Sequence, residues 1–158
     1  MKLMTKNLAV LALVLASTSA MAGWQTGVSY SNLSEHDISV GTATVNAGYQ
    51  FSSSSTAFTI MPQIRFGTGV KHDSINGYEI DIERYLVVAA RIDYPAMSDI
   101  SFFIQPAYAN LKFDGMDEWN FGLGFGATYS FNKGWGMELM YEDFDDTDVL
   151  SAGISYRY

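Results

Sequence analysis

Two histidines stand beside acids and hydroxyls, in Ser34-Glu35-His36-Asp37 and in His72-Asp73-Ser74. Nucleophilic catalysis needs a serine within hydrogen-bond reach of a histidine that a third group orients. Closeness along a loop supplies no such geometry, so both groups read as ordinary loop residues and no catalytic residue is expected. A second grouping is acidic: Asp143, Asp145, Asp146 and Asp148. Clustered carboxylates suit hard divalent cations, yet the spacing lacks the glycine and final glutamate of an EF-hand loop. A solvated acidic loop is expected, with weak Ca²⁺ or Mg²⁺ binding as the secondary reading. Asp114, Asp117 and Glu118 would join it in an acidic crown. A third grouping is Arg65, Glu83, Arg91, Asp93, Glu138, Glu142 and Arg157, whose meaning depends on which way they face. There is no cysteine, hence no thiolate chemistry and no Cys-ligated zinc. Phosphate loops and dinucleotide fingerprints are absent too, so no cofactor is expected.

The elements that must position these groups begin after a leader. Lys2 and Lys6 flank an apolar core, Leu8 to Ala16, and Ala20-Met21-Ala22 fits the small-x-small cleavage pattern. Residues 1–22 are therefore expected to be a signal peptide, with 23–158 a single domain. The leader's apolar core is too short to span a bilayer as a helix. Of the 9 basic residues, Lys2 and Lys6 fall in the leader, and the rest face 17 acidic ones. So acidic a chain does not bind nucleic-acid backbones through bulk charge. Charged residues make up only 16% and apolar ones 48%, where soluble domains carry about 25% charged residues.

Beyond the leader, period-two alternation recurs in eight segments bounded by turn residues, and strands are expected near 24–32, 40–51, 57–66, 80–94, 100–111, 119–131, 135–143 and 149–158. In the sixth, one face reads Trp119, Phe121, Leu123, Phe125, Ala127, Tyr129, Phe131, and the other Asn120, Gly122, Gly124, Gly126, Thr128, Ser130. An eight-stranded barrel has an interior only just wide enough to be filled by side chains. Rows of aromatics from eight strands would overfill it, whereas glycine, serine and threonine fit. The small face carries Gly, Ser, Thr, Asn and Gln rather than the many Lys and Glu of a solvated surface. The bulky face therefore looks outward into lipid, and the third charge grouping falls inside by parity. A charge in a narrow lumen must be paired or hydrated. A structural salt-bridge network is expected there, with Arg65–Glu83 and Glu138–Arg157 as pairs.

The aromatics sort by height. Trp24, Tyr49, Phe51, Phe58, Tyr94, Phe102, Tyr129, Phe131, Trp135, Tyr156 and Tyr158 lie toward the strand ends nearest the termini. Tyr30, Phe66, Tyr108, Trp119, Tyr141 and Phe144 lie toward the opposite ends. Two aromatic girdles around an aliphatic belt are what two membrane interfaces select. Connections 52–56, 95–99 and 132–134 are short, while 33–39, 67–79, 112–118 and 144–148 are mostly longer. Outer-membrane barrels have short periplasmic turns and longer outside loops, so both termini are expected in the periplasm. Pro62 and Pro106 fall within strands on the lipid-facing parity. Proline cannot donate to the ladder, so a bulge or relaxed pairing is expected at each.

With Gly48-Tyr49-Gln50-Phe51, the leader and the final Leu150-x-Ala152-x-Ile154-x-Tyr156-x-Tyr158, the chain resembles the small eight-stranded outer-membrane barrels of Gram-negative bacteria, the OmpA-barrel, OmpX and opacity-protein group. The resemblance implies a closed all-β antiparallel up-and-down transmembrane barrel in the bacterial outer membrane. It also implies contact with outer-membrane lipid and lipopolysaccharide, and reading of the C-terminal strand by the barrel-assembly machinery. The function expected is structural or surface-interactive rather than enzymatic. A narrow solute or ion channel, a lipid-A-modifying enzyme and a soluble ligand-binding barrel are the alternatives.

Overall fold

A computed structural model describes residues 23–35, 38–52, 57–71, 73–75, 78–80, 82–113, 116–145 and 147–158. The expected signal peptide, both histidines, Asp114 and Asp146 lie outside these residues. Eleven β-segments follow in order: β1 (Trp24–Glu35), β2 (Ile38–Tyr49), β3 (Phe51–Ser52), β4 (Thr59–Lys71), β5 (Asp73–Ile75), β6 (Tyr78–Ile80), β7 (Ile82–Pro95), β8 (Ile100–Phe113), β9 (Met116–Asn132), β10 (Trp135–Phe144) and β11 (Thr147–Arg157). β5 and β6 form a small ribbon of their own. The rest form one sheet in the order β2-β1-β11-β10-β9-β8-β7-β4-β3, closed by a β2–β4 pairing. β2 and β3 are two pieces of one strand, because both pair with β4 in a continuous register. The result is the expected closed eight-stranded antiparallel barrel.

The register fixes its geometry. Stepping between partners from Tyr129 leads through Met137, Ile154, Val28, Val45, Phe66, Leu86 and Asn110 to Trp119. The circuit returns to β9 ten residues from where it began. A stagger of ten over eight strands tilts them by about 40° and leaves a backbone radius of about 8 Å. Such a lumen holds side chains and little else.

The alternation resolves as expected. Phe121, Leu123 and Phe125 are 56%, 54% and 58% exposed, while Gly122 and Gly124 face inward. An apolar exterior this continuous is stable only against lipid, where a closed barrel leaves no backbone edge unpaired. No helix among the described residues is long and apolar enough to cross a membrane.

One expectation needs correction. The strands run further than the apolar pattern indicates: β1 and β2 stop only at Glu35 and Ile38, β8 and β9 only at Phe113 and Met116, β10 and β11 only at Phe144 and Thr147. A hairpin ladder of backbone hydrogen bonds needs no lipid-facing side chains, so it continues past the apolar belt and takes up most of the expected loops. At the prolines it is the expected relaxed pairing that forms, and not a bulge: each removes a rung while the register stays unchanged. β7 and β8 pair at Ala89↔Ala107 and again at Ile92↔Ile104, with a gap at the level of Pro106. β2/β3 pairs with β4 at Gly48↔Gln63 and again at Phe51↔Ile60, with a gap opposite Pro62. Gln50 turns instead to β1, its N–H donating to the Gly23 carbonyl at 2.7 Å.

Candidate functional site

The charge grouping converges in the lumen, but with other partners than adjacency suggested. Arg65 on β4 reaches across the barrel to Glu142 on β10 through a two-pronged contact, Nη1 to Oε2 at 2.5 Å and Nη2 to Oε1 at 3.0 Å. Both side chains are out of contact with solvent, at 2% and 0% exposure. Gln105 donates to Glu142 Oε1 at 2.8 Å, and Gln63 donates to Gln105. Every formal charge at this level is thus both paired and hydrogen-bonded, the condition under which a buried ion pair persists. Arg65 is paired with Glu142, and the side chain of Glu83, its expected partner, lies outside the described residues. The reason is reach: a long arginine inside so narrow a tube meets the opposite wall.

A second cluster lies nearer the termini. The Arg91 guanidinium donates to Asp93 Oδ1 from Nε at 2.9 Å and Nη2 at 2.7 Å, to Thr128 Oγ1 at 2.6 Å, and to Glu138 Oε1 at 2.9 Å. It lies 3.7 Å from the centroid of the Phe103 ring. Glu138 Oε1 also accepts from Gln25 Nε2 and Ser155 Oγ, each at 3.0 Å. Arg91 therefore holds the carboxylate expected for Arg157. Arg157 instead donates to Gln25 Oε1 at 3.2 Å. Along β1, β2 and β11 the lumen wall is made of hydroxyls, which pair as Ser31–Ser151 at 2.7 Å and Ser29–Thr44 at 2.5 Å.

Sequence reasoning missed the inward aromatics. Phe144, expected on the lipid side, is fully buried in the lumen with Tyr85, Val87, Leu111, Val149 and Leu33. They close the end away from the termini with a dry apolar cap. Phe103 points inward beside Arg91. The signal that marks their place is the glycine stripe on β9. A Cβ at Gly122 would run into the Phe144 ring, one at Gly124 would sit 2.8 Å from Glu142 Cγ, and one at Gly126 would run into the Phe103 ring. Each glycine gives up its side-chain volume to a large neighbour, so overall filling is kept.

The girdle residues stay at the surface. Trp24, Tyr49 and Phe51 stack edge to face with centroids 5.5 and 4.8 Å apart, and Trp135, Tyr156 and Tyr158 follow at 5.0 and 4.7 Å. Tyr129 and Phe131 are exposed at the same end, and Trp119 at the other. Offset and T-shaped contacts of this kind suit rings with opposed quadrupoles. In the acidic loop, Asp143 and Asp148 face each other in register, and Asp148 accepts the Tyr141 hydroxyl proton. Asp145 takes a positive φ of 55° at the hairpin tip. Among the described residues no three His, Cys, Asp or Glu gather as a metal-ion site.

No family model and no curated protein matches the sequence. Solved structures do resemble the fold. The attachment invasion locus protein Ail of Yersinia pestis is 17% identical, with a TM-score of 0.53, covering 87% of this chain and 100% of that one. Neisserial surface protein A is 15% identical at a TM-score of 0.52, covering 89% and 100%. The N-terminal β-barrel domain of Pseudomonas aeruginosa OprF is 10% identical at 0.54, covering 88% and 100%. These likenesses establish the fold as that of the small outer-membrane barrels.

Proposed function

We propose that this protein is a sealed integral barrel of the bacterial outer membrane whose role is structural or surface-interactive. Both termini lie on the periplasmic side, and the acidic hairpin tips face outward among lipopolysaccharide headgroups. The observation that carries this reading is the double closure of the lumen. The Arg65–Glu142 pair spans the tube, and the apolar cap around Phe144 fills the end beyond it. Hydrated ions find no continuous wet path through such an interior, which favours a structural role over a channel. The aromatic girdles and apolar belt supply the contacts with lipid, and the final strand β11 is the segment the assembly machinery would read.

Planar-bilayer recording with the refolded protein tests this directly. No unitary conductance steps are expected, together with a heat-modifiable shift on gels that marks a folded barrel. Steady steps from a heat-modifiable preparation would replace the sealed-barrel reading with a channel.

A further inference from the structure

The rim at the loop end is charged unevenly. Asp143 and Asp148 face each other across the β10–β11 hairpin. Farther round the barrel, β7 and β8 carry Arg84 and Lys112. Alternation turns both outward, since their neighbours Tyr85 and Leu111 are buried in the lumen. Of the other described basic side chains, Arg65, Arg91 and Arg157 belong to the lumen, and Lys133 lies on a turn at the termini end. From the Arg84–Lys112 pair we infer a docking site on the outer wall for the phosphate of an outer-leaflet lipid. The inference rests on the orientation proposed above, in which the hairpin tips face away from the periplasm.

Three observations carry it. First, Arg84 and Lys112 are cross-strand partners in the β7–β8 register. Like charges placed opposite each other destabilise a strand pair, and an anion between them removes that cost. Second, Arg84 is anchored to the wall. Its Nη2 donates to Asn110 Oδ1 at 2.9 Å, and Asn110, outward by parity, is only 1% exposed. The guanidinium is thus held beside Lys112 instead of extending into solvent. Third, the height is that of headgroups. A residue advances about 2.5 Å along the axis in strands tilted by about 40°, which puts both bases within about 10 Å of the Tyr108 level of the girdle. Trp119, the register partner of Asn110, is exposed beside them. The medium facing the pair is therefore the headgroup layer and not bulk water. Asp117 is the register partner of Lys112, so the row Arg84–Lys112–Asp117 keeps one surplus positive charge, opposite in sign to a phosphate. Arginine offers it a fork and lysine a point charge, and basic clusters at a membrane surface attract anionic headgroups. The exposed Val88, Tyr108 and Phe121 lie below, where the acyl chains of the same lipid would run.

The test uses the full barrel refolded in octyl glucoside micelles, which carry no phosphate. Bisphosphorylated lipid A, the same lipid with its phosphates removed, and inorganic phosphate are titrated separately. The Trp119 indole N–H and the Asn110 side-chain amide are followed by NMR. Saturable shifts are expected with bisphosphorylated lipid A and no saturation with the other two. Arg84→Gln and Lys112→Gln should each weaken binding about fivefold, and the two together about twentyfold. Lys133→Gln, at the other end, should leave it unchanged. Should Arg84→Gln not fold, Arg84→Lys takes its place, with a smaller loss because the charge stays and the fork goes. Saturation by the dephosphorylated lipid or by inorganic phosphate, or lipid A binding undiminished in the double variant, would each overturn the site. A separate arm reads the orientation. The chain has no cysteine, so Asp145→Cys at a hairpin tip takes a single label, and a membrane-impermeant maleimide should reach it on intact cells. Labelling without lipid A binding overturns the site and leaves the orientation standing. Lipid A binding without surface labelling overturns the orientation, and with it the outer-leaflet occupant.

Discussion

The two halves of the lumen solve one problem differently. Toward the termini, Arg91, Asp93, Glu138, Gln25, Thr128 and Ser155 fill the tube with a polar network that opens onto solvent. Toward the loops, Tyr85, Val87, Leu111, Phe144 and Val149 fill it as an ordinary dry core. The Arg65–Glu142 pair lies at the border, with neither side chain touching water. The contrast teaches that closure and solubility of the interior are separate matters: the apolar half seals, while the polar half keeps a wet mouth without becoming a passage.

The largest effect should come at the border. Glu142→Ala leaves Arg65 buried and unpaired, and a loss of about 3–5 kcal/mol is expected in urea unfolding from micelles. The paired replacement Arg65→Met with Glu142→Leu should recover most of it, since a well-packed apolar pair of similar volume is often neutral. If the double variant is as unstable as the single one, the border belongs to the polar half. Phe144→Ala comes next, at about 3–4 kcal/mol from lost burial and the cavity left behind. It should also admit small ions, seen as new conductance in bilayers, which Glu142→Ala alone should not produce. Glu138→Ala should cost less, about 1–3 kcal/mol, because the side chain is partly solvated and Arg91 keeps Asp93. Conductance should stay at the wild-type level, and unchanged unfolding would show that the wet half contributes nothing to stability. The smallest effect belongs to Tyr85→Phe. The Tyr85 hydroxyl is buried with no partner among the described residues. Its removal should be neutral or stabilising by up to about 1 kcal/mol.

Much of this architecture was legible because strand parity is strict: a period of two sorts every residue to lipid or lumen once the bulky face is known to look outward. The girdles other than Phe144 and the inward charges Arg65, Arg91, Asp93, Glu138 and Glu142 followed from that rule. Pairing inside the tube was not legible, since it depends on stagger and tilt, which no single strand's pattern reveals. Arg65 and Glu83 are near in sequence order, but Arg65 finds Glu142 on the opposite wall. Phe144 escaped for a related reason. At a hairpin end, an aromatic reads as a girdle residue unless the count along β10, from Gly136 through Glu138 and Glu142, is carried to its last position. The strand ends were missed because backbone pairing outlasts the side-chain alternation that announces it.

The two absent rungs at Pro62 and Pro106 isolate a pair of staves. β4 and β7 are joined firmly to each other, but each meets its outer neighbour, β2/β3 or β8, across a seam with a missing link. Both long arginines spring from this plank, Arg65 from β4 and Arg91 from β7, and both end on glutamates of β10 on the far side. They act as tie-rods, bracing from within a hoop whose binding is thinnest beside the timbers they hold.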